Sequence, residues 1–197
     1  VEKILIIGIG MIGASIALAS KSKGIKVYGF DKSNNSIKEA LEKNIIDSKV
    51  ESISDINSKA FVKKVDLIIV AVPPKQTLDV LNDLKNIWNT DVTITDTSSV
   101  KNHIKLNGAS NIVLSHPIAG SDQSGISAAN GDLFKNKKNV LCDPFNSKKG
   151  HFEKVDNFWK NALQMRTSSM SVAEHDLIFA MTSHLPHLVS YLSLIHI

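Results

Sequence analysis

The segment Lys3-Ile-Leu-Ile-Ile-Gly8-Ile-Gly10-Met-Ile-Gly13 restricts the fold more than any other stretch of this 197-residue chain. Ile4–Ile7 has the length of a strand, and glycines at 8, 10 and 13 follow it without a spacer. A strand that ends on glycine can turn tightly into a helix. The second glycine lets an outside group approach the backbone, and the third lets helix and strand pack in contact. The helix is expected from Met11 to about Lys23. Its first N–H groups lack partners inside the helix and favour an anion at the turn.

The rest of the chain continues the alternation of short apolar runs and helical segments that marks a parallel sheet. Strands are expected at Lys26–Phe30, Asp66–Val72, Asp91–Asp96, Asn111–His116, Lys138–Asp143 and, last, Gln164–Thr167. The continuous apolar character of Asp66–Val72 suits a strand covered on both faces. Helices are expected at Ser36–Lys43, Gln76–Trp88, after the stop at Pro73-Pro74, and Phe152–Leu163. The layout is α/β, a Rossmann-type doubly wound and mostly parallel sheet.

In that context the glycines call for a dinucleotide. Asp31 closes the second expected strand, near the spacing of about 20 residues at which an acid meets the adenosine ribose. Its carboxylate accepts hydrogen bonds from the ribose hydroxyls and repels a 2′-phosphate, so NAD is the expected cofactor. Lys32 beside it weakens the discrimination against NADP, and a helix-capping role for Asp31 is the structural alternative. Nucleic acid is an unsuitable partner. The net charge of +4 comes from lysines scattered among acids, and Arg166 is the one arginine. No apolar run reaches the roughly 18–20 residues of a membrane span. The single Cys142 precludes an internal disulfide and suits a reducing, cytoplasmic setting. Val1-Glu2-Lys3 leads straight into a strand, with no targeting segment in view.

Two further segments reach the carboxyl edge of the sheet, where ligands of such folds bind. Thr95-Asp-Thr-Ser-Ser-Val-Lys101 closes a strand and is expected to begin a helix, with Ser98 or Ser99 as its cap. His116 follows a strand directly and precedes a turn of small residues, a poor core position and a good polar one.

The motifs Gly8–Ser15, Val70-Ala-Val-Pro-Pro74, Thr95–Lys101, His116-Pro-Ile-Ala-Gly-Ser-Asp-Gln-Ser-Gly125 and Ser183-His-Leu-Pro-His187, in this order, resemble the prephenate/arogenate dehydrogenase family of tyrosine biosynthesis. The resemblance implies a dinucleotide-binding domain over residues 1–168, followed from 169 to 197 by the first helix of an all-helical domain that completes the substrate pocket and dimerises. The chain stops near the start of that domain and reads as a fragment, inactive alone. The reaction implied is NAD-dependent oxidative decarboxylation. Cofactor contacts are expected from Gly8, Gly10, Met11, Ile12, Gly13, Asp31, Val72, Pro73 and Ser99. The resemblance makes His116 the group that assists deprotonation of the ring hydroxyl, with Ser99 hydrogen-bonded nearby. Ser121 and Asp122 stand where many relatives carry Thr and Glu. The ring carboxylate calls for a bidentate arginine, which the family supplies from its helical domain at a position that Arg166 does not match.

Ser171-Val-Ala-Glu174 is a capping-box pattern, so a helix is expected to start there and carry Ser183, His184 and His187. The two histidines lie three apart on one face. Pro186 cannot donate to the helix ladder and should bend it. A zinc site would need further ligands, and none has supportive spacing. The resemblance assigns His187 to the substrate pocket, with Ser183 and His184 in support. Leu177, Phe179 and Leu188 of this helix are expected to be exposed, and Leu192-Ser-Leu-Ile-His-Ile197 reads as a poor continuation of it, with no role for His196. Two rival readings share the glycine signature. Another oxidoreductase of the 3-hydroxyacid dehydrogenase type would use a lysine from its helical domain. A non-catalytic NAD-binding regulator would need neither His116 nor His187.

Overall fold

The computed structural model describes residues 1–120, 123–148 and 150–194, and at positions 184, 187, 191, 193 and 194 the backbone alone. Eight strands form one sheet in the order β3-β2-β1-β4-β5-β6-β7-β8. They are β1 (Lys3–Ile7), β2 (Lys26–Phe30), β3 (Ser48–Lys49), β4 (Leu67–Val70), β5 (Thr93–Asp96), β6 (Ile112–Pro117), β7 (Lys138–Cys142) and β8 (Arg166–Ser169). All neighbours run parallel except β6 and β7, whose pairing is antiparallel, with His116 opposite Val140. The chain leaves β1 toward β2 and later returns to pair β4 on the other side of β1. That reversal opens a crevice at the carboxyl ends of β1 and β4.

Side chains alternate along each strand, so the sheet has two apolar faces. Ile4 and Ile6 of β1 join Ile16, Val27, Leu67 and Trp159 on one face, whereas Leu5 and Ile7 join Ile68, Val70, Leu81 and Ile94 on the other. Helix α1 (Met11–Lys21) covers the first face through Ala14, Ile16 and Ala17. Helix α5 (Pro74–Asp83) covers the second through Val80 and Leu81. Both faces being covered explains why the central strands read as continuous apolar runs.

Several element boundaries differ from the sequence expectation for identifiable reasons. Helix α2 (Asn34–Glu42) starts earlier because Ser33 caps it, accepting a hydrogen bond from the Ser36 amide. The helix expected from Gln76 starts at Pro74, whose fixed φ suits a first helical turn. It ends at Asp83, and a 3₁₀ turn follows at Lys85–Ile87. Two single-turn helices, α3 (Ile53–Ile56) and α4 (Lys59–Val62), are too short to announce themselves by periodicity. Helix α6 (His151–Asn157) widens into a π turn over Phe158–Ala162.

The expected capping box is present: Ser171 Oγ accepts from the Glu174 amide while the Glu174 carboxylate accepts from the Ser171 amide. Helix α7 (Val172–Phe179) gives way to a π turn at Ala180–His184 and resumes as α8 (Leu185–Leu194). The wide turn immediately precedes Pro186, which removes a donor from the ladder. The helix runs to Leu194, while residues 195 to 197, His196 included, lie outside the described residues. Leu177, Met181, Leu185, Leu188 and Leu192 form an exposed apolar row along it, with Leu177 at 64%. Phe179 departs from the expectation of exposure, for it is half-buried against two imidazoles. Among the described residues no helix is long and apolar enough to cross a membrane.

Trp159 anchors the first face of the sheet. It is fully buried, meets Phe134 and Phe158 edge-on, and donates from Nε1 to Ser115 Oγ at 3.0 Å. Trp159→Ala is expected to lower stability by about 3–5 kcal/mol. A urea titration followed by far-ultraviolet circular dichroism measures this, and a loss below about 1 kcal/mol contradicts it.

Candidate functional site

The three glycines of the first turn have different physical reasons. Gly8 sits at φ +96, and a Cβ there would lie 2.6 Å from the Ala71 carbonyl oxygen. A Cβ on Gly13 would lie 2.0 Å from the Gly8 carbonyl oxygen. Both are required by the protein's own packing. A Cβ on Gly10 would meet nothing within 4 Å, and Gly10 is exposed. The protein's own packing does not require glycine at position 10.

Two cavities flank this turn. One, of about 200 Å³, is lined by Gly8, Gly10, Phe30, Asp31, Val72 and Pro73. The other, of about 390 Å³, is lined by Gly10, Met11, Ile12, Val72, Pro73, Ser99 and His116. They share Gly10, Ala71, Val72 and Pro73 in their linings. Asp31 ties the turn to the end of β2, because its carboxylate accepts from the Ile9 amide at 2.7 Å and the Ser33 amide at 2.8 Å. It does not cap α2, a role that falls to Ser33.

The segment after β5 does not form the expected helix; residues 97 to 111 are irregular. Ser98 Oγ bonds locally to both backbone groups of Val100, competing with a helical ladder. The Lys101 side chain then turns inward, fully buried, and donates to both Asp96 carboxylate oxygens at 2.8 and 2.7 Å and to the Ser115 carbonyl at 2.6 Å. Asp96 also accepts from the amides of Ser98 and Ser115. A single ion pair thereby fastens the end of β5, the loop bearing Ser99 and the end of β6. The loop amides of Lys101 and Asn102 donate to Asp176, at 3.0 and 2.8 Å, from 75 and 74 residues away in sequence. A carboxylate caps these amides as a helix start would require, but it comes from α7.

His116, half-buried near the end of β6, faces α7. Its Nδ1 lies 2.9 Å from His175 Nε2, and His175 Nδ1 lies 2.7 Å from Asp176 Oδ1. Phe179 packs against both imidazoles, each ring centroid 4.7 Å away. Burial pushes the His175 imidazole below its usual pKa despite the Asp176 carboxylate. Burial opposes ionisation of Asp176, but hydrogen bonds from His175 and from the Asn102 and Lys101 amides outweigh it and hold the carboxyl below its usual range.

The structure thus has Gly8, Gly10, Asp31, Val72 and Pro73 lining the first cavity and Gly10, Met11, Ile12, Val72, Pro73, Ser99 and His116 lining the second, with Gly13 packed behind the turn. Ser121 and Asp122 lie outside the described residues, as do the side chains of His184 and His187; Ser183 is half-buried. Arg166 donates to the Asn136 carbonyl and lines neither cavity. Among the described residues no group of three or more His, Cys, Asp or Glu could hold a metal ion. Sequence reasoning missed His175, Asp176, Asp96 and Lys101. A His-Asp pair in the first turn after a capping box, and an acid ending an apolar strand five residues before a lysine, were the available signals.

Residues 16–164 match the model of the prephenate dehydrogenase nucleotide-binding domain. The chain is 33% identical over 204 residues to a prephenate dehydrogenase of Bacillus subtilis, covering 99% of this chain and 53% of that protein. It superposes on a prephenate dehydrogenase from Aquifex aeolicus, solved with hydroxyphenyl propionate and NAD⁺, with a TM-score of 0.87 and 30% identity, over 100% of this chain and 70% of the other. An arogenate dehydrogenase from Synechocystis matches with a TM-score of 0.83 and 27% identity, over 98% of this chain and 68% of the other. The chain spans about half the length of the Bacillus relative.

Because Lys101 and Asp96 are both inaccessible, removing one partner leaves a buried charge uncompensated. Lys101→Met is expected to cost about 3–5 kcal/mol, and Lys101→Met combined with Asp96→Asn to regain part of it. Urea midpoints of the two variants test this, and a double variant no more stable than the single one counts against it.

Proposed function

The chain belongs to the prephenate dehydrogenase family, and we propose that residues 1–168 are its NAD-binding domain and residues from 169 onward the first helix of a helical substrate domain. The reaction proposed is oxidative decarboxylation of prephenate or arogenate. One observation carries this reading: a single cavity at the carboxyl edge of the sheet is lined by the glycine turn, Ser99 and His116.

The residues present fit NAD. Gly10 leaves space open where a pyrophosphate would meet the first N–H groups of α1. Asp31 lines the first cavity, where an adenosine ribose would present its hydroxyls. Met11, Ile12, Val72 and Pro73 line the second, where the nicotinamide would lie. When bound, NAD supplies the hydride acceptor.

The chain's own residues orient the substrate and move a proton. Prephenate and arogenate carry a ring hydroxyl opposite a ring carboxylate. As hydride leaves the hydroxyl-bearing carbon, the O–H bond breaks and its electron pair becomes the carbonyl π bond. His116 takes that proton, a task suited to a neutral imidazole near neutral pH. Ser99, on the loop fixed by Lys101 and lining the same cavity, is assigned a hydrogen bond near His116 and the nicotinamide. The bond between the ring and its carboxylate then breaks as carbon dioxide leaves, and its electron pair passes through the dienone to the carbonyl oxygen, which takes up a proton. The ring becomes aromatic, which supplies the driving force. Ser183, His184 and His187 are kept on the substrate side, since they follow His175 along the helix that faces His116. Ser121 and Asp122, in the turn after His116, are kept there too. The reading includes a homodimer for the full-length protein and a cytoplasmic setting, which the free, buried thiol of Cys142 suits.

Two variants test the two halves of the reading. Gly10→Ala in the 197-residue chain should keep its urea midpoint yet lose at least about tenfold in NAD affinity by calorimetry, about 1.4 kcal/mol; undiminished affinity contradicts the cofactor placement. His116→Asn in the full-length protein should bind NAD normally while turnover of prephenate or arogenate, followed by absorbance of the reduced cofactor, falls about 10²–10⁴-fold. Retained turnover removes His116 from the chemistry.

A further inference from the structure

We infer that His175 and Asp176 are positioning residues that set the tautomer of His116, making Nε2 its proton-accepting nitrogen. An ionised carboxylate can only accept hydrogen bonds, so the 2.7 Å contact requires a proton on His175 Nδ1. Asp176 itself is immobilised by the amides of Lys101 and Asn102, which it accepts from at 3.0 and 2.8 Å. His175 is fully buried, and a second proton would place a cation there close to the Lys101 ammonium. His175 is therefore neutral, and its Nε2 presents a lone pair.

That lone pair faces His116 Nδ1 at 2.9 Å. Two imidazole nitrogens at this distance share one hydrogen, and here His116 must supply it. His116 thus carries its proton on Nδ1, and Nε2 is the nitrogen that accepts a proton from a ligand. When Nε2 gains that proton, the Nδ1–H bond to His175 strengthens and the positive charge faces the Asp176 carboxylate through one neutral ring. Phe179 against both rings restricts their rotation. The anchoring amides belong to the loop that bears Ser99, so one loop places both Ser99 and, through Asp176 and His175, His116.

The consequence for catalysis rests on His116 being the proton acceptor, but the tautomer is measurable without turnover. Long-range nitrogen–proton correlation spectra of the ¹⁵N-histidine-labelled 197-residue chain near neutral pH, with His116 assigned by its loss in His116→Asn, report which ring nitrogen is protonated. The expected result is Nδ1–H for both His116 and His175. His175→Phe should abolish the His116 preference for Nδ1–H, and His175→Gln should restore it, because the amide oxygen can accept from Nδ1–H. Asp176→Leu, which leaves His175 Nδ1–H without its acceptor, should likewise lose the fixed tautomer. A wild-type His116 found as the Nε2–H form overturns the inference, as does an unmoved tautomer in folded His175→Phe. The wild-type spectrum decides even where a variant fails to fold, and it decides independently of the turnover of His116→Asn.

Discussion

Asp96 and Lys101 form an ion pair beneath the site with neither side chain exposed, and the polar geometry above it follows from that pair. Lys101 also donates to the Ser115 carbonyl, and Asp96 accepts from the Ser115 and Ser98 amides. The ends of two parallel strands and the loop after β5 are held by one cluster of charge-assisted bonds. Such a pair contributes little net stability over an apolar replacement, but it tolerates one geometry, since any displacement leaves a charge without a partner. The loop therefore presents its Lys101 and Asn102 amides in a fixed direction, and those amides hold Asp176. From Asp176 the order runs to His175 and then to His116, which stands at the cavity that Ser99 and Gly10 also line.

The nucleotide side of the crevice depends on steric exclusion instead of charge. Gly8 and Gly13 are fixed by contacts that leave no room for a Cβ, at 2.6 and 2.0 Å from carbonyl oxygens. They let β1, α1 and the 71–73 segment approach closely beside the two cavities, which share Gly10, Ala71, Val72 and Pro73 in their linings. Gly10 stands between them with open space around it.

The two sides meet because β1, β4, β5 and β6 lie next to one another in the sheet and end at the same edge. The helix starting at Val172 then crosses over that edge and closes the histidine side, its capping box fixing where the first turn, and hence His175, begins. Beyond that contact the helix shows an apolar row to solvent, from Leu177 to Leu192.

The sequence by itself determined the strand–glycine–helix opening, the alternation of β and α elements, Asp31 at the end of β2, His116 at the end of β6 and the capping box at Ser171. These are local: a turn needing glycine, a period of two or of 3.6, a cap three residues from its partner. Burial and long-range pairing, which sequence spacing does not encode, decided the remainder. The stretch after Asp96 looks like a helix start because it has capping residues, yet its amides are capped by a carboxylate 75 residues away and its lysine is drawn into the sheet. His175 reads as an ordinary helix residue until the fold sets it 2.9 Å from His116. Local rules fix where elements begin and end, and only the packing of the helix on the sheet edge decides which polar groups must find one another out of water.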